Sequence, residues 1–497
     1  MLFNSLPYLL FFPIVFILYW LLDYVIGRKY PSATIIQNIF LLIASYVFYA
    51  WWDWRFLGLL IGMSLVSWLA GYLLTNTLAG GGMTHSRKIV MWSTVSIDLL
   101  TLGFFKYYNF FVESFCNLFS LNSNLSTLNL ILPLGISFFT FQAISYVVDS
   151  YNNKLSTLNV KRSTLESMCT CFLYIGFFPK LLAGPIERPS HLIPQIQQRR
   201  TFTYELGSDG LRQILWGLFK KVVVADNCAV YVNAVYADYT NQSGSTLLLA
   251  AILYTIQIYG DFSGYSDMAI GSAKLLGFKF RDNFLFPYFS RNMGEFWKRW
   301  HISLNTWFVD YVYIPLGGSR NGKARTIANT LIIFLLSGLW HGADWSFVAW
   351  GGYHGLLLVI LILFGWNTKY DHVVAHDRLL PSIKELAQML LVFILATIGW
   401  MMFRADNMGM FVDYCRNMIQ PSLISVPWLM TRDFYLPLVI YTVVMTIVDW
   451  LYRKDAAKVL TIPCRYHWVH WLIYYALMVV CYYGAPSETI QFIYQQF

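Results

Sequence analysis

The chain has 497 residues, 57% of them hydrophobic and only 12% charged, with a formal net charge of +9. Soluble domains carry roughly 25% charged residues, so this composition excludes a water-soluble globule and points to an integral membrane protein. With no soluble block of any size, its chemistry has to sit in or against the bilayer.

Aromatic residues make up 18% of the chain, which predicts interfacial belts and aromatic-lined cavities. Leu6 to Ile26 is long enough to span a bilayer. It has no cationic stretch before it and no small-residue cleavage site after it, so it is expected to be a retained first helix and not a signal peptide. Further apolar segments fall at about 35–50, 56–74, 88–112, 131–148, 168–186, 212–236, 246–273, 327–340, 345–364, 384–403, 434–450 and 467–484. Several are short or interrupted by Pro and Gly. The expectation is an all-α polytopic membrane protein with about eleven crossings plus re-entrant and interfacial helices. Alternating ten-residue segments of a membrane barrel are missing, and the chain carries no internal repeat.

Basic residues set the orientation. Arg28 and Lys29 follow the first segment, Arg87 and Lys88 precede the fourth, and the loop 113–130 has neither type. The N-terminus is therefore expected outside the cell. Segment 168–186 has basic residues on both flanks (Lys154, Lys161 and Arg162 before it, Arg188, Arg199 and Arg200 after it). It reads either as a dip that returns to the same side or as a kinked span, with Pro179, Gly184 and Pro185 as breakers. Arg453, Lys454, Lys458 and Arg465 place 451–466 inside, leaving the terminal QFIYQQF outside. Seven scattered cysteines, including Cys169, Cys171 and Cys464, show neither a disulfide framework nor metal-ligand spacing.

Tyr259-Gly260-Asp261-Phe262-Ser263-Gly264-Tyr265-Ser266-Asp267 interrupts an apolar segment with two carboxylates. Tyr259, Asp261 and Asp267 either line a wet pocket or tie helices together. The region 274–325 holds nine basic residues against three acidic ones, most of the chain's positive charge. Lys298 and Arg299 belong to it. Such a cluster fits an anionic thioester donor or an acidic carrier protein, and equally a cytoplasmic loop resting on anionic membrane lipids. Gly317-Gly318-Ser319-Arg320 reads as a turn, since it lacks the Lys-Ser/Thr of a phosphate loop.

The stretch from Asn292 to Gly355 carries two histidines in tryptophan-rich settings, His301 after Trp297-Lys298-Arg299-Trp300 and His341 after Leu339-Trp340. Asn292, three residues before Glu295, is a helix-start signal. Trp297, Trp300, Leu304, Trp307 and Tyr311 then recur at helical spacing. One continuous interfacial helix is expected, with His301 on the edge of its buried stripe. The apolar run from Thr326 to Trp340 has 15 residues, roughly 22 Å as helix against a hydrocarbon core of about 30 Å. That leaves His341 within the bilayer, where an ionisable side chain marks function by default. A buried histidine serves either as a packing residue or as a base. Imidazole titrates near neutrality and can take a proton from an attacking hydroxyl. No carboxylate or cysteine accompanies the pair at metal-ligand spacing, and nothing in the chain points to nucleic acid.

The phrases FWKRWHISLNTWFVDYVYIPLGGSR and SGLWHGADWSFVAWGGYHG resemble the membrane-bound O-acyltransferase family, in its bacterial alginate O-acetyltransferase-like branch. LLIASYVFYAWWDWRF at 41–56, LPLGISFFTFQAISYVVD at 132–149, FFPKLLAGPIERP at 177–189, GLFKKVVVADN at 217–227 and YGDFSGYSDMAIG at 259–271 support the likeness, which thins from about 365 to 430. The resemblance implies one membrane domain over 1–497, with its core motifs at about 259–355 and helices arranged around a central funnel or tunnel. It implies His341 as the catalytic residue and His301 as a second important one on the path.

It further implies a cytoplasmic acyl donor, acetyl-CoA or another thioester, with no bound cofactor. The acceptor hydroxyl is then reached from outside the inner (plasma) membrane. Trp297, Trp300 and Trp340 would wall a dry passage, and a backbone amide near Gly342 is a candidate oxyanion donor. The resemblance implies as partners an extracytoplasmic hydrolase-like acetyltransferase and the polysaccharide synthesis machinery; the chain itself contains no nucleophile elbow. Competing readings are D-alanyl transfer to teichoic acid from a carrier protein, a polytopic transporter, and a non-catalytic scaffold.

Overall fold

The computed structural model describes residues 1–26, 33–77, 84–121, 127–155, 163–366, 370, 372–461, 466–487 and 490–493. The topology markers Arg28, Lys29, Lys161, Arg162 and Arg465, together with Cys464 and the end of the QFIYQQF segment, lie outside the described residues. Among the described residues every regular element is a helix.

The chain divides into two compact units, Met1–Leu211 with Ala269–Arg281, and Arg212–Met268 with Asp282–Phe497. The first contains helices α1 (Leu6–Ile26), α2 (Ala33–Asp53), α3 (Leu57–Tyr72), α4 (Thr84–Leu102), α5 (Tyr108–Leu118), α6 (Ile136–Tyr151), α7 (Thr164–Gly176) and α8 (Pro189–Gln197). Helix α6 is buried almost throughout and packs against α3 and α4, while α7 packs against α2 and α3. Helix α1 instead turns Leu6, Leu9, Leu10, Ile14 and Ile17 outward, as a lipid-facing helix must, since hydrocarbon solvates aliphatic side chains at no cost.

Segment 168–186 does not cross as one helix. A capping box between Ser163 and Glu166 starts α7, and the helix stops after 13 residues where Phe177 turns extended. That is about 20 Å of helix, well short of a bilayer core. A single turn at Phe178–Leu181 follows before the chain runs on to α8.

In the second unit lie the C-terminal half of α9 (Tyr204–Leu218) and most of α11 (Gly244–Leu275), with α10 (Asp226–Ala237) between them. They are followed by α12 (Met293–Arg299), α13 (Ile302–Phe308), α14 (Gly322–His341), α15 (Trp345–Phe364), α16 (Ile383–Arg404), α17 (Met408–Met418), α18 (Arg432–Leu451) and α19 (His467–Tyr483). Their core is unusually aromatic, with Trp216, Trp300, Trp350 and Trp400 all at most 2% exposed.

Among the described residues, seven helical stretches are long and apolar enough to cross a membrane: Leu6–Ile26, Thr34–Asn76, His85–Leu118, Gly244–Leu275, Trp345–Phe364, Ile383–Arg404 and Arg432–Leu451. The protein is thus a multi-pass membrane protein. The other segments counted toward eleven crossings are shorter, broken or more polar, as in α7 and in the basic start of α14.

Candidate active site

The region around His301 departs from the continuous helix expected there. Asn292 does cap α12, accepting the Glu295 amide at 2.8 Å. The helix ends at Arg299, Trp300 turns extended, and His301 adopts a left-handed backbone (φ 44°, ψ 52°) before α13 begins. For a non-glycine residue that conformation costs about 1–2 kcal/mol, so the surroundings must hold it. Asn305 supplies one restraint, its side-chain amide donating to the carbonyls of Trp297 (2.8 Å) and Trp300 (2.6 Å), groups that an unbroken helix would satisfy internally. The break turns His301 inward to 1% exposure.

Asn283 fixes the imidazole. Its Oδ1 lies 3.1 Å from His301 Nδ1, and the same oxygen accepts the Ser303 hydroxyl (2.8 Å) and the Ser303 amide (3.3 Å). The backbone amide identifies that atom as the oxygen, and a carbonyl oxygen can only accept. Nδ1 therefore carries the proton and Nε2 the basic lone pair. Burial pushes the His301 pKa from 6.5 down to about 3, because desolvation penalises the charged ring.

His341 ends α14, and Asp344 starts α15 by accepting the Ser346 amide at 2.7 Å, so the histidine stands at the tip of a helical hairpin. The two helices cross with their backbones touching. A methyl on Gly338 would overlap the Phe347 carbonyl, and one on Gly351 would overlap the Phe334 carbonyl. Small residues at such a crossing let helices approach closely. The approach brings Trp350, of α15, to 5.0 Å from the His341 ring at 84°, with Phe403 at 5.3 Å. Gly342 N–H, the suggested oxyanion donor, already donates to the Gly338 carbonyl at 3.3 Å.

The structure brings both histidines to one aromatic cluster. The Trp340 ring lies 4.9 Å from His341 and 6.0 Å from His301. A second arc runs from Trp300 to Trp400 (4.6 Å) and on to Trp350 (5.9 Å). Trp297 packs edge-on against Trp350 at 5.6 Å. It also lines a mostly apolar cavity of about 460 Å³ whose wall includes Lys298, Asn305, Thr306, Ser319 and Phe334. His341 lines neither this cavity nor the second one, of about 330 Å³, which Tyr259 and Asp449 line.

The remaining candidates are placed as follows. Lys298 is exposed, whereas Arg299 is spent on Glu295 (3.0 Å) and the Leu285 carbonyl (3.3 Å). Asp267 pairs with Lys220 at 2.5 Å and accepts Gln213 at 3.0 Å. Asp261 pairs with Lys221 at 2.6 Å and accepts the Ile493 amide at 2.8 Å, while Lys221 also holds Asp226 at 2.7 Å. Tyr259 donates to Asp449 at 2.7 Å. These contacts tie helices together, and the sequence reading missed Lys220 and Lys221 as the partners of the carboxylates. It also missed Asn283, Trp350, Trp400 and His354; the last had no signal beyond its place in Trp350-Gly351-Gly352-Tyr353-His354.

Helices with lipid-facing sides and buried imidazoles walled by indole rings define a polytopic membrane enzyme. Which chemistry it carries follows from comparison. The chain belongs to the membrane-bound O-acyltransferase family, whose model matches residues 48–369, and it is an O-acyltransferase. It is 38% identical over 399 residues to a probable alginate O-acetylase AlgI of Pseudomonas syringae pv. tomato, covering 79% of this chain and 71% of that protein. It is 32% identical over 424 residues to a peptidoglycan O-acetyltransferase of Helicobacter pylori, covering 82% and 78%. To a teichoic acid D-alanyltransferase of Bacillus subtilis it is 29% identical over 256 residues, covering 49% and 62%.

Proposed function

We propose that the protein moves an acetyl group from a cytoplasmic thioester, acetyl-CoA, to a hydroxyl on the outer side of the inner membrane, with His341 as general base. The convergence of both histidines on Trp340 carries this reading. His341 takes the proton of the attacking hydroxyl, whose oxygen bonds to the thioester carbonyl carbon. The tetrahedral intermediate then expels the thiolate, which recovers the proton from the imidazolium. The products are an ester and a free thiol. A base in this role contributes typically about 10²–10⁴ in rate, and a dry aromatic wall strengthens the local electrostatics.

The cavity beside Trp297 suits the thin arm of the donor, with Lys298 near the anionic end. His301, held as the Nδ1–H tautomer, offers Nε2 as an acceptor along the path. The acceptor is a cell-envelope polysaccharide, reached directly or through an extracytoplasmic hydrolase-like acetyltransferase, and the N-terminus faces outside. The names of the alginate and peptidoglycan relatives support acetyl transfer over the D-alanyl alternative.

His341→Ala in the full-length chain is expected to abolish ester formation on the envelope polymer while the protein still inserts and folds. The ester content of polysaccharide from cells carrying the variant, against a deletion strain, measures this. Retained esters would remove His341 from the mechanism, and labelled D-alanine in place of acetyl would overturn the donor.

A further inference from the structure

His354, fully buried in α15, has no hydrogen-bond partner at either ring nitrogen among the described residues. A buried polar group left unpaired is destabilising, and few are tolerated in native proteins. What surrounds this one is aromatic. Trp350, one helical turn earlier, lies at 5.0 Å and 69°, Trp297 at 5.0 Å and 83°, Tyr353 at 5.0 Å and Trp400 at 6.2 Å. His354 therefore touches the indole that faces His341, the indole that lines the 460 Å³ cavity, and the indole that reaches Trp300. From α16, Gly399 closes the fourth side so tightly that a methyl there would overlap His354 Nε2.

We propose that His354 is a positioning residue of the acyl-transfer centre: wedged by Gly399, it sets Trp350 against His341 and Trp297 against the cavity. This rests on the reading of His341 as the base. It acts through ring contacts and not by carrying a proton, since Nε2 is shut off by the α16 backbone and Nδ1 has no hydrogen-bond partner among the described residues. Indoles in contact transmit a displacement because packed interiors deform little. A misplacement of about 1 Å at a reacting group costs on the order of 100-fold in rate.

The test uses full-length protein in phospholipid vesicles, with labelled acetyl-CoA as donor and envelope polysaccharide from the host as acceptor. His354→Ala is expected to lower kcat about 10- to 100-fold with KM within about threefold, the signature of lost alignment, and to alter the near-ultraviolet dichroism of the indoles. His354→Phe, which keeps a ring but no proton, is expected to recover most of kcat with an unshifted pH–rate profile. Gly399→Ala, which leaves the imidazole in the chain but displaces it, is expected to reproduce the alanine defect. An unchanged kcat in His354→Ala or Gly399→Ala would overturn the proposal. So would a folded His354→Phe as inactive as His354→Ala, because the proton would then matter. His341→Ala run in parallel separates the two readings. If it is active the base assignment falls, and if it is dead while His354→Ala and Gly399→Ala are normal, only the positioning role falls.

Discussion

The second unit holds ionisable groups of two kinds within its helical core. Along α9 to α11, Lys220, Lys221, Asp226, Asp261 and Asp267 are all buried or nearly so, and each is matched with an opposite charge at 2.5–2.7 Å. Around Trp340 and Trp350, the imidazoles of His301, His341 and His354 are instead packed against aromatic rings. Charges that neutralise one another leave little for a substrate to use, and the seam they form is architecture. An imidazole in its neutral form offers a nitrogen lone pair, which is what proton transfer needs. Sequence alone presents both as polar interruptions of apolar text. The distinction lies in who stands opposite.

The largest expected effect breaks the first region without touching the second. Lys221→Met leaves Asp226 and Asp261 buried without their cation, and removing one partner of a buried pair costs about 3–5 kcal/mol. Thermal unfolding in vesicles should show a melting temperature far below that of the parent, while any folded fraction keeps its kcat. A loss of kcat at unchanged stability would move Lys221 into the chemistry and erase the contrast drawn above.

A smaller effect is expected where a polar group serves an imidazole. Asn283→Leu removes the acceptor that fixes the His301 tautomer and leaves the Ser303 hydroxyl and amide without their oxygen. Stability should fall by about 1–3 kcal/mol, the cost of buried groups left unpaired. The folded fraction should lose about tenfold in kcat, at the lower end of what a misplaced hydrogen-bonding group costs. Steady-state kinetics with acetyl-CoA checks this. Loss of stability at full kcat would reduce His301 to a packing residue.

Much of this was legible from the chain. The composition gave the class, and the Trp-His phrases marked the two residues that meet at Trp340. The Asn292 cap was visible three residues before Glu295. The break at Trp300–His301 was not, because neither Gly nor Pro stands there and the aromatic spacing continues through it. What holds it is Asn305 reaching back to two carbonyls and Asn283 reaching in from outside the helix. A periodicity argument sees only neighbours along one helix. For the same reason Asp261 and Asp267 left two readings open, since Lys220 and Lys221 lie some forty residues away. His354 is silent in sequence because its meaning comes from Gly399 on another helix.

The smallest effect concerns pH and isolates one imidazole. His301 is held neutral, its pKa lowered by burial to about 3, while in the unfolded chain it returns to 6.5. Between those values the unfolded state binds a proton that the native state refuses. Stability therefore rises with pH across that window and is lost as pH falls below 6.5, by about 1.4 kcal/mol per pH unit from this residue. Above 6.5 the ring contributes no slope. Melting temperatures at pH 7.0 and 5.5 should differ more in the parent than in His301→Gln, whose amide keeps a donor for Asn283 but cannot titrate. An equal difference in both proteins would mean that the native ring accepts the proton. Its Nε2 would then be a donor, and the acceptor role given to it along the substrate path would be lost.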